Sequence, residues 1–433
     1  MRRGSPRCAW SLLCSLAAAV GIAGCAAVPR DTTQSEPIQL GPRPFYLVAG
    51  MDEGPLKDRL MQCRSSPLRR TLFSIGHRGA ALQFPEHTRE SYEAAALQGA
   101  GIVECDATFT KHGEFVCRHA QNDLHTTTNI LQTALAATCV KPFRPATVDA
   151  NGKVQTPASA ECRTSELTLE QFKSLRGKMD AFNSAARTID EFVGGTAAWR
   201  TDLYAGRGTL VTLRESIELN KRLGVLHTPE LKSGDAASID AVFGSQKDYA
   251  LRFAQELRDA GVPPRDAWPQ SFNVEDVLTW IDHTAYGRQA VYLLDYDARD
   301  GAHDIVIQAP YNQMERGEYF RMLRQRGVRI VAPPIPALLA VDANDRIVPS
   351  QLARDLRGWG FEIITWSLER SDLRRGAARA GLYYDFDRQG RAVKKDSDLY
   401  RVLDVLARDV GIIGTFSDWP ATVTYYASCM GLK

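Results

Sequence analysis

Short runs of apolar and β-branched residues alternate with amphipathic stretches from residue 71 onward. This alternation is typical of repeated βα units around a parallel sheet. Eight runs predict strands at 72–76, 101–106, 225–231, 267–272, 290–295, 328–333, 361–366 and 411–417. Helices are predicted at 88–98, 212–223, 248–260, 274–283, 317–325, 349–359 and 396–409. Eight strands separated by helices favour an α/β fold, a closed (β/α)8 TIM barrel, over an open sheet.

The second βα unit carries extra material on the loop side of the predicted barrel. A hairpin over 108–119 follows its strand, and residues 131–165 are rich in Pro, Asn, Gly, Thr and Ser with little periodicity. We predict an insertion at 131–165 that is closed by a disulfide between Cys139 and Cys162. In the chain-entropy model such a bond contributes about 3 kcal/mol. The whole of 71–424 is expected to form one catalytic domain.

The amino-terminal segment has the pattern of an export signal. Residues 1–24 begin with three arginines and continue into an apolar run at 10–22, which is short for a membrane span. The run ends before Cys25 in a sequence that resembles a bacterial lipobox, which predicts a lipid-modified Cys25 as the one membrane link. An ordinary signal peptide is the alternative. Residues 26–44 are polar and Pro-rich and are predicted to be a flexible tether.

These features predict an exported protein of the periplasm or cell surface, at the outer membrane if the cell is Gram-negative. The 53 basic and 51 acidic side chains of the 433 residues nearly cancel, and no basic block with interleaved aromatics occurs, so nucleic acid is not an expected partner. Outside the signal region six cysteines remain, an even number that suggests disulfides in an oxidising compartment.

Polar residues close several predicted strands, where a barrel of this kind places its reactive groups. Glu104 and Asp106 end the second strand on one face, about 7 Å apart, and Glu230 ends the third. Three carboxylate oxygens suit Mg²⁺ or Ca²⁺ better than a soft metal. The structural alternative is a group of acids paired with Arg78 and Lys232.

The order and spacing of these motifs resemble the glycerophosphodiester phosphodiesterase family. The residues that carry the likeness are His77-Arg78-Gly79, Pro85-Glu86-His87-Thr88, Glu104-Cys105-Asp106, Gly113, His119 and Glu230-Leu231-Lys232. The likeness continues through Ser271-Phe272, Thr365-Trp366 and the stretch 414–420, and so covers residues 73–424.

The resemblance implies a TIM-barrel enzyme that splits a glycerophosphodiester, such as glycerophosphocholine or glycerophosphoethanolamine, into sn-glycerol 3-phosphate and an alcohol. His77 and His119 are then the acid and base. One divalent cation, Ca²⁺ or Mg²⁺, is held by Glu104, Asp106 and Glu230. The substrate and its phosphate are bound by Arg78, Glu86, Lys232 and Trp366.

Two positions depart from the family pattern, and the loop through Asn122, Asp123 and Leu124 is slightly longer than the family's. His87 stands where the family usually has Asn, and Ala120 follows His119 where the family has Asp. Asp123 is a candidate to replace the missing carboxylate. Both changes fall at the expected rim of the substrate site, so they bear on headgroup preference more than on the metal.

Four cysteines remain, and they allow one further bridge. If the hairpin turns at residues 112–113, strict alternation places Cys117 on the face of His119 and Cys105 on the opposite face. We therefore predict that these two cysteines are not bonded to each other and that Cys117 is a buried free thiol. Cys63 and Cys429 form a second possible bridge, between the two ends of the domain.

Two other functions compete with the glycerophosphodiesterase. A related barrel phospholipase acting on phospholipids or lysophospholipids would need an apolar entry. No long amphipathic segment with exposed Trp and Phe is evident near the loop side, although the insertion could contain one. A surface binding protein that has lost catalysis would be expected to lack a histidine or a metal carboxylate. None of these residues is missing from the sequence.

Overall fold

The computed structural model describes residues 37–201, 207–297 and 304–433. Within these ranges eight parallel strands form a closed barrel, as predicted, and each strand pairs with the next while β8 pairs with β1. The strands are β1 Thr71–Gly76, β2 Ala100–Phe109, β3 Leu226–Leu231, β4 Gln270–Ser271, β5 Val291–Leu293, β6 Ile330–Ala332, β7 Glu362–Leu368 and β8 Gly414–Ser417.

Helices surround the barrel and follow the predicted pattern. The helices that match predicted ones are Arg89–Leu97, Leu213–Leu223, Gln246–Asp259, Val274–His283, Arg316–Gln325, Gln351–Gly358 and Leu399–Asp404, the last continuing as a π-helix over Val405–Val410. Further helices are Arg43–Ala49, Pro55–Gln62, Leu124–Thr127, Leu169–Ser174, Ile189–Val193, Ala236–Phe243, Ile335–Leu338 and Pro420–Met430. Local sequence sets their starts: Thr212 and Glu215 form a capping box at the helix that leads into β3.

Two layers of apolar side chains hold the barrel together. The interior is filled by Ile75, Ile102, Val291, Leu293, Ile330, Ala332, Ile364 and Phe416. A larger cluster lies between the strands and the helices and includes the fully buried Trp280 and Phe253, whose rings stack 5.5 Å apart. Because apolar residues close the inside of the barrel, the polar groups at the strand ends lie on a packed floor.

The segment between β2 and β3 forms a separate layer over one side of the barrel mouth. The strand Phe115–Cys117 pairs with β2 in antiparallel fashion, and two small hairpins follow at Lys141–Arg144 with Ser159–Glu161 and at Thr147–Val148 with Val154–Thr156. The segment has its own apolar cluster, made mainly of Leu124, Ile130, Leu131, Phe172, Phe192 and Leu210. The predicted Cys139–Cys162 disulfide is present in it.

The other four cysteines of the described chain also form two disulfides. Cys63 is bonded to Cys429, as predicted, and joins the second helix to the last one. Cys105 is bonded to Cys117, so the prediction that they are unpaired is wrong. Pairing of the hairpin ends at Cys117, which faces Ala107, and the chain then leaves the strand. His119 therefore turns towards the barrel mouth, while Cys117 stays on the outer face with Cys105.

The predicted signal peptide at 1–24, the predicted lipid site Cys25 and the first part of the predicted tether lie outside the described residues. The last residues of the tether region pack on the barrel: Leu40 is buried, and the Gln39 N–H donates to Leu97 O at 2.8 Å. In the described part of the chain, none of the helices has both the length and the apolar character needed to cross a membrane.

The Cys63–Cys429 disulfide is expected to contribute substantially to stability. It spans 366 residues of sequence, and loss of a long cross-link frees the most entropy in the unfolded chain. Cys63→Ala/Cys429→Ala should lower the free energy of unfolding by about 2–5 kcal/mol in denaturant titrations. The single variant Cys63→Ala is the control, since it should lose as much as the pair. An unchanged free energy of unfolding in the double variant would contradict this expectation.

Candidate active site

The carboxyl ends of β2 and β3 bring three acidic side chains together. Glu104 and Asp106 project from alternate positions of β2, and Glu230 stands directly opposite Asp106 in the parallel pair. One oxygen from each carboxylate lies within 4.8 Å of the others, and all three residues are buried. The structure therefore brings together the three acids that the sequence singles out as metal ligands.

Each carboxylate is held by groups of the barrel. Glu104 accepts a hydrogen bond from the Arg78 backbone N–H at 2.9 Å and another from Gln270 Nε2 at 2.8 Å. Glu230 Oε1 lies 2.6 Å from Lys232 Nζ. The backbone of Arg78, whose N–H makes this contact, is left-handed with φ 56°.

His87, which departs from the family pattern, orients Asp106. His87 is fully buried, its Nε2 lies 2.9 Å from Asp106 Oδ2, and its Nδ1 lies 3.1 Å from the Tyr92 hydroxyl. Burial lowers the pKa of His87 to about 4, so the ring is neutral and Nε2–H donates to the carboxylate. His87 thus supplies the donor that fixes Asp106.

The three carboxylates repel one another in a desolvated place. Burial, then the charges of Asp106 and Glu230, raise the pKa of Glu104 well above its ordinary value. Burial also raises the pKa of Glu230 to about 7, although Lys232 opposes the shift. For Asp106, burial is outweighed by His87 and Lys232, and its pKa lies well below its usual range. A cation between them would let all three keep their charge.

The donor set fits a hard divalent cation. Asp106 Oδ1 is buried and has no hydrogen-bond partner among the described residues, so one oxygen of the cluster is left with its lone pairs unused. The cluster offers oxygen ligands alone, which suits Mg²⁺ or Ca²⁺ with water completing the shell. Glu104, Asp106 and Glu230 are the residues that would hold the ion.

His77 directly follows β1 beside this cluster, and Asp418 orients its ring. Its Nδ1 lies 2.5 Å from Asp418 Oδ1, while its Nε2 faces Glu104 at 3.8 Å. The Asp418 carboxylate is therefore the acceptor for an Nδ1–H proton, which leaves Nε2 free at the site. Burial lowers the pKa of His77, against the opposing charge of Asp418. Gly79 lets the loop turn sharply here, since a Cβ at this position would lie 2.3 Å from Ser91 Oγ.

His119 reaches the site from the opposite side, on the chain that leaves the hairpin. It lines the same cavity as His77 and is only partly exposed. Burial, followed by the nearby positive charges of Arg78 and Lys232, lowers the pKa of His119 well below its ordinary value. Burial thus favours the neutral form of both imidazoles.

Arginine side chains bring positive charge to the mouth of the site. Arg78 Nη1 lies 2.8 Å from Glu86 Oε2, and Arg370 lies 2.9 Å from Asp418 and 3.6 Å from Glu86. Although burial opposes the shift, these two arginines hold the pKa of Glu86 well below its usual range. Glu86 thus anchors both arginines.

The predicted residues converge on an inner cavity of about 180 Å³. Its lining residues are His77, Arg78, Glu104, His119, Glu230, Lys232, Phe272, Leu293, Trp366, Tyr383 and Phe416. Trp366 forms one wall, held by a 2.8 Å hydrogen bond from Nε1 to Ala332 O, and Lys232 Nζ lies 5.7 Å above the Phe272 ring. Asp106 is not among these lining residues, and Glu86 lines a cleft outside the inner cavity.

An outer cleft of about 380 Å³ adjoins the inner cavity and shares three of its lining residues, Arg78, His119 and Tyr383. Its other lining residues are Glu86, Asp123, Thr126, Thr127, Asp180, Ala181, Phe182 and Arg370. The second departure from the family pattern lies here, because the Ala120 N–H donates to Asp123 Oδ2 at 3.1 Å. Asp123 thus places a carboxylate in the loop that follows His119.

Sequence reasoning did not single out four residues that complete the site: Gln270, Arg370, Tyr383 and Asp418. Asp418 follows β8 directly and Gln270 lies in β4, so inspection of every strand end could have found both. Arg370 and Tyr383 lie in the long connection after β7, where the sequence has no strand or helix period to place them.

Comparisons with known proteins show a family likeness. Residues 77–307 match the glycerophosphoryl diester phosphodiesterase family. An extracellular protein of Arthroderma benhamiae is 39% identical over 256 residues, which is 59% of this chain and 100% of that protein. A protein of Mycobacterium tuberculosis described as a probable glycerophosphodiester phosphodiesterase is 47% identical over 47 residues, 11% of this chain and 17% of its own length.

A crystal structure from Silicibacter pomeroyi, described as a glycerophosphoryl diester phosphodiesterase, shares the fold. Its TM-score is 0.50 at 17% identity, and the alignment covers 87% of this chain and 98% of that one. The matched family region begins at His77 and contains the three clustered carboxylates and His119. The resemblance stated from the sequence is thereby confirmed: the chain is a phosphodiesterase of the glycerophosphoryl diester phosphodiesterase family.

Proposed function

We propose that the protein hydrolyses glycerophosphodiesters, such as glycerophosphocholine and glycerophosphoethanolamine, to sn-glycerol 3-phosphate and an alcohol, with one Ca²⁺ or Mg²⁺. One observation carries the proposal. His77 and His119 line a single buried cavity with Arg78, Lys232 and carboxylates of the acidic cluster. That cavity offers two proton-transfer groups and positive charge for a phosphodiester.

The basic side chains fit the charge of the substrate. A phosphodiester carries one negative charge that repels nucleophiles, and Arg78 and Lys232 lie on the cavity wall where they can neutralise its oxygens. When bound, the divalent cation adds further positive charge at the phosphate. Burial excludes water around these groups, which strengthens their effect on the phosphate.

The two histidines supply the proton transfers. One imidazole takes the proton of the attacking hydroxyl, and the other protonates the oxygen of the departing alcohol. Asp418 supports His77 in this role, since its carboxylate fixes the tautomer and stabilises the imidazolium. The attacking group in this scheme is the neighbouring glycerol hydroxyl, which gives a cyclic phosphate that water then opens.

The outer cleft favours a small polar alcohol over an acyl chain. Glu86, Asp123, Asp180 and Arg370 line it together with Thr126 and Thr127. Burying an acyl chain against these charged groups would cost desolvation energy. The charged part of this lining, which the cleft combines with Ala181, Phe182 and Tyr383, therefore supports the glycerophosphodiesterase over a phospholipase.

We further propose that the protein acts outside the cytoplasm. Three disulfides join the cysteines of the described chain, as is usual in an oxidising compartment. The relative from Arthroderma benhamiae is described as extracellular. A lipid on Cys25 at the periplasmic or outer surface remains part of this proposal, and mass spectrometry of the exported protein would test it.

The assigned roles predict the behaviour of two variants. Glu104→Gln and His119→Ala should each lower kcat for glycerophosphocholine at least about 10²-fold, because each removes a group that touches the reacting phosphate or its cation. The measurement is release of glycerol 3-phosphate with Ca²⁺, Mg²⁺ or EDTA. His112→Ala, on the exposed hairpin turn, is the matched control. Activity that persists in EDTA, or in either variant, would contradict the proposal.

A second prediction tests whether the Asp418 carboxylate supports His77. Asp418→Asn should lower kcat by on the order of 10²-fold or more with little change in KM, because the Nδ1–H tautomer and the imidazolium lose their partner. Asp180→Asn is the matched control, since Asp180 also pairs with Arg370 but has no contact with His77. Equal effects of the two substitutions on kcat would show that Asp418 acts through Arg370 instead.

A third prediction follows from the raised pKa of Glu230, about 7. Below that pH the carboxyl group is protonated and cannot bind a cation, so affinity for Ca²⁺ or Mg²⁺ should fall as pH falls. For one displaced proton with this pKa, the expected loss is about tenfold in total between pH 8 and pH 6. Titration calorimetry between pH 8 and 6, in two buffers of different ionisation enthalpy, measures affinity and proton release. Equal affinity at both pH values would contradict it.

A further inference from the structure

The Cys105–Cys117 disulfide lies directly behind the candidate active site. Cys105 stands between Glu104 and Asp106 on β2, and Cys117 precedes His119 by two residues. The bond thus joins the strand that carries two carboxylates of the acidic cluster to the end of the strand that leads into His119. The Cα atoms are 5.3 Å apart.

The bond is placed where the two strands stop pairing. The hairpin register runs from Phe109 opposite Phe115 to Ala107 opposite Cys117. Beyond that pair, one backbone hydrogen bond continues the contact, from Arg118 N–H to Asp106 O at 2.8 Å. Without the disulfide, this hydrogen bond would be the one remaining link between β2 and the chain just before His119.

Arg118 extends the same attachment. Its guanidinium is fully buried and donates to the backbone oxygens of Glu86, Cys117 and Thr127. Residues 117 and 118 are therefore fixed on two sides, by a covalent bond and by a buried cation. His119 projects from this fixed base into the cavity.

We propose that the Cys105–Cys117 disulfide positions His119 relative to the carboxylates of Glu104 and Asp106, and so acts on the reaction rather than chiefly on stability. This inference rests on the proposed function for its effect on rate. Misplacement of a catalytic group by about 1 Å can cost on the order of 10²-fold in rate. Both sulfurs are buried, with Cys105 3% exposed and Cys117 0%, which argues against a reversible redox switch.

A role in stability and a role in positioning predict different effects when each of two disulfides is removed. Cys105–Cys117 spans 12 residues and Cys139–Cys162 spans 23, so the entropic model assigns less stabilisation to the first. The second lies in the insertion, and neither of its cysteines lines the inner cavity or the outer cleft. Removal of the Cys105–Cys117 bond should therefore lower kcat more, and Tm less, than removal of the Cys139–Cys162 bond.

The experiment compares Cys105→Ala/Cys117→Ala with Cys139→Ala/Cys162→Ala in the exported domain. A further pair, Cys105→Val/Cys117→Val, refills the volume of the sulfurs without restoring the cross-link. Three quantities are measured: kcat and KM on glycerophosphocholine, Ca²⁺ affinity by calorimetry, and Tm. Both Cys105/Cys117 pairs should lose about tenfold to 10²-fold in kcat with KM within about twofold. The control should keep kcat and lose more Tm.

The outcomes separate the proposal from its alternatives. A kcat loss greater than in the control supports the positioning role, with or without weaker Ca²⁺ binding. Values of kcat and Ca²⁺ affinity that match the control overturn it, as does recovery of kcat in the Val pair, which would assign the effect to packing. If the wild type cleaves no glycerophosphodiester, the proposed function fails. Ca²⁺ affinity then decides alone: weaker binding than in the control supports the positioning role, and equal binding overturns it.

Discussion

Three carboxylates held within 4.8 Å of one another in a buried barrel mouth are the constraint on which the site depends. Such a cluster is unfavourable unless its charge is compensated, because burial and mutual repulsion both disfavour ionisation. The surrounding residues provide that compensation: Arg78 and Lys232 by charge, His87 and Gln270 by hydrogen bonds. A cation would complete the charge compensation, and its positive charge would also attract the phosphate of the substrate.

The closed barrel makes this crowding possible. Asp106 and Glu230 are direct partners in neighbouring parallel strands, so their side chains leave the sheet side by side. The apolar floor formed by residues such as Ile102 and Phe416 keeps water out from below. The connection after β2 and the connection after β7 supply His119, Arg370 and the walls of the outer cleft.

The sequence was sufficient for the barrel and for the proximity of the three strand-end acids. Alternation and strand-end acids placed Glu104, Asp106 and Glu230 correctly because a period of two is enforced wherever one face is buried. The rule was misapplied at Cys117, because the hairpin pairs Phe109 with Phe115 and Ala107 with Cys117 instead of turning at 112–113, and this register puts Cys117 on the face of Cys105. It could not assign Arg370 or Tyr383, because long irregular connections have no period that fixes the direction of a side chain.

The departures from the family pattern have physical explanations that appear only in three dimensions. His87 donates to Asp106 through a neutral ring, and Asp123 brings a carboxylate next to Ala120 from three residues along the chain. Both contacts depend on loop conformation, including the left-handed backbone of His87 at φ 56°. Sequence identifies such positions as unusual, whereas the contact that explains them requires the folded loop.

The central claim is that the acidic cluster binds a divalent cation. Anomalous X-ray diffraction from crystals grown with Mn²⁺, as a stand-in for Mg²⁺ or Ca²⁺, would test it most directly. The account predicts one strong anomalous peak bonded to oxygens of Glu104, Asp106 and Glu230, at roughly 2.0–2.6 Å. A cluster without a peak at saturating Mn²⁺, or a peak bound elsewhere in the barrel mouth, would contradict it.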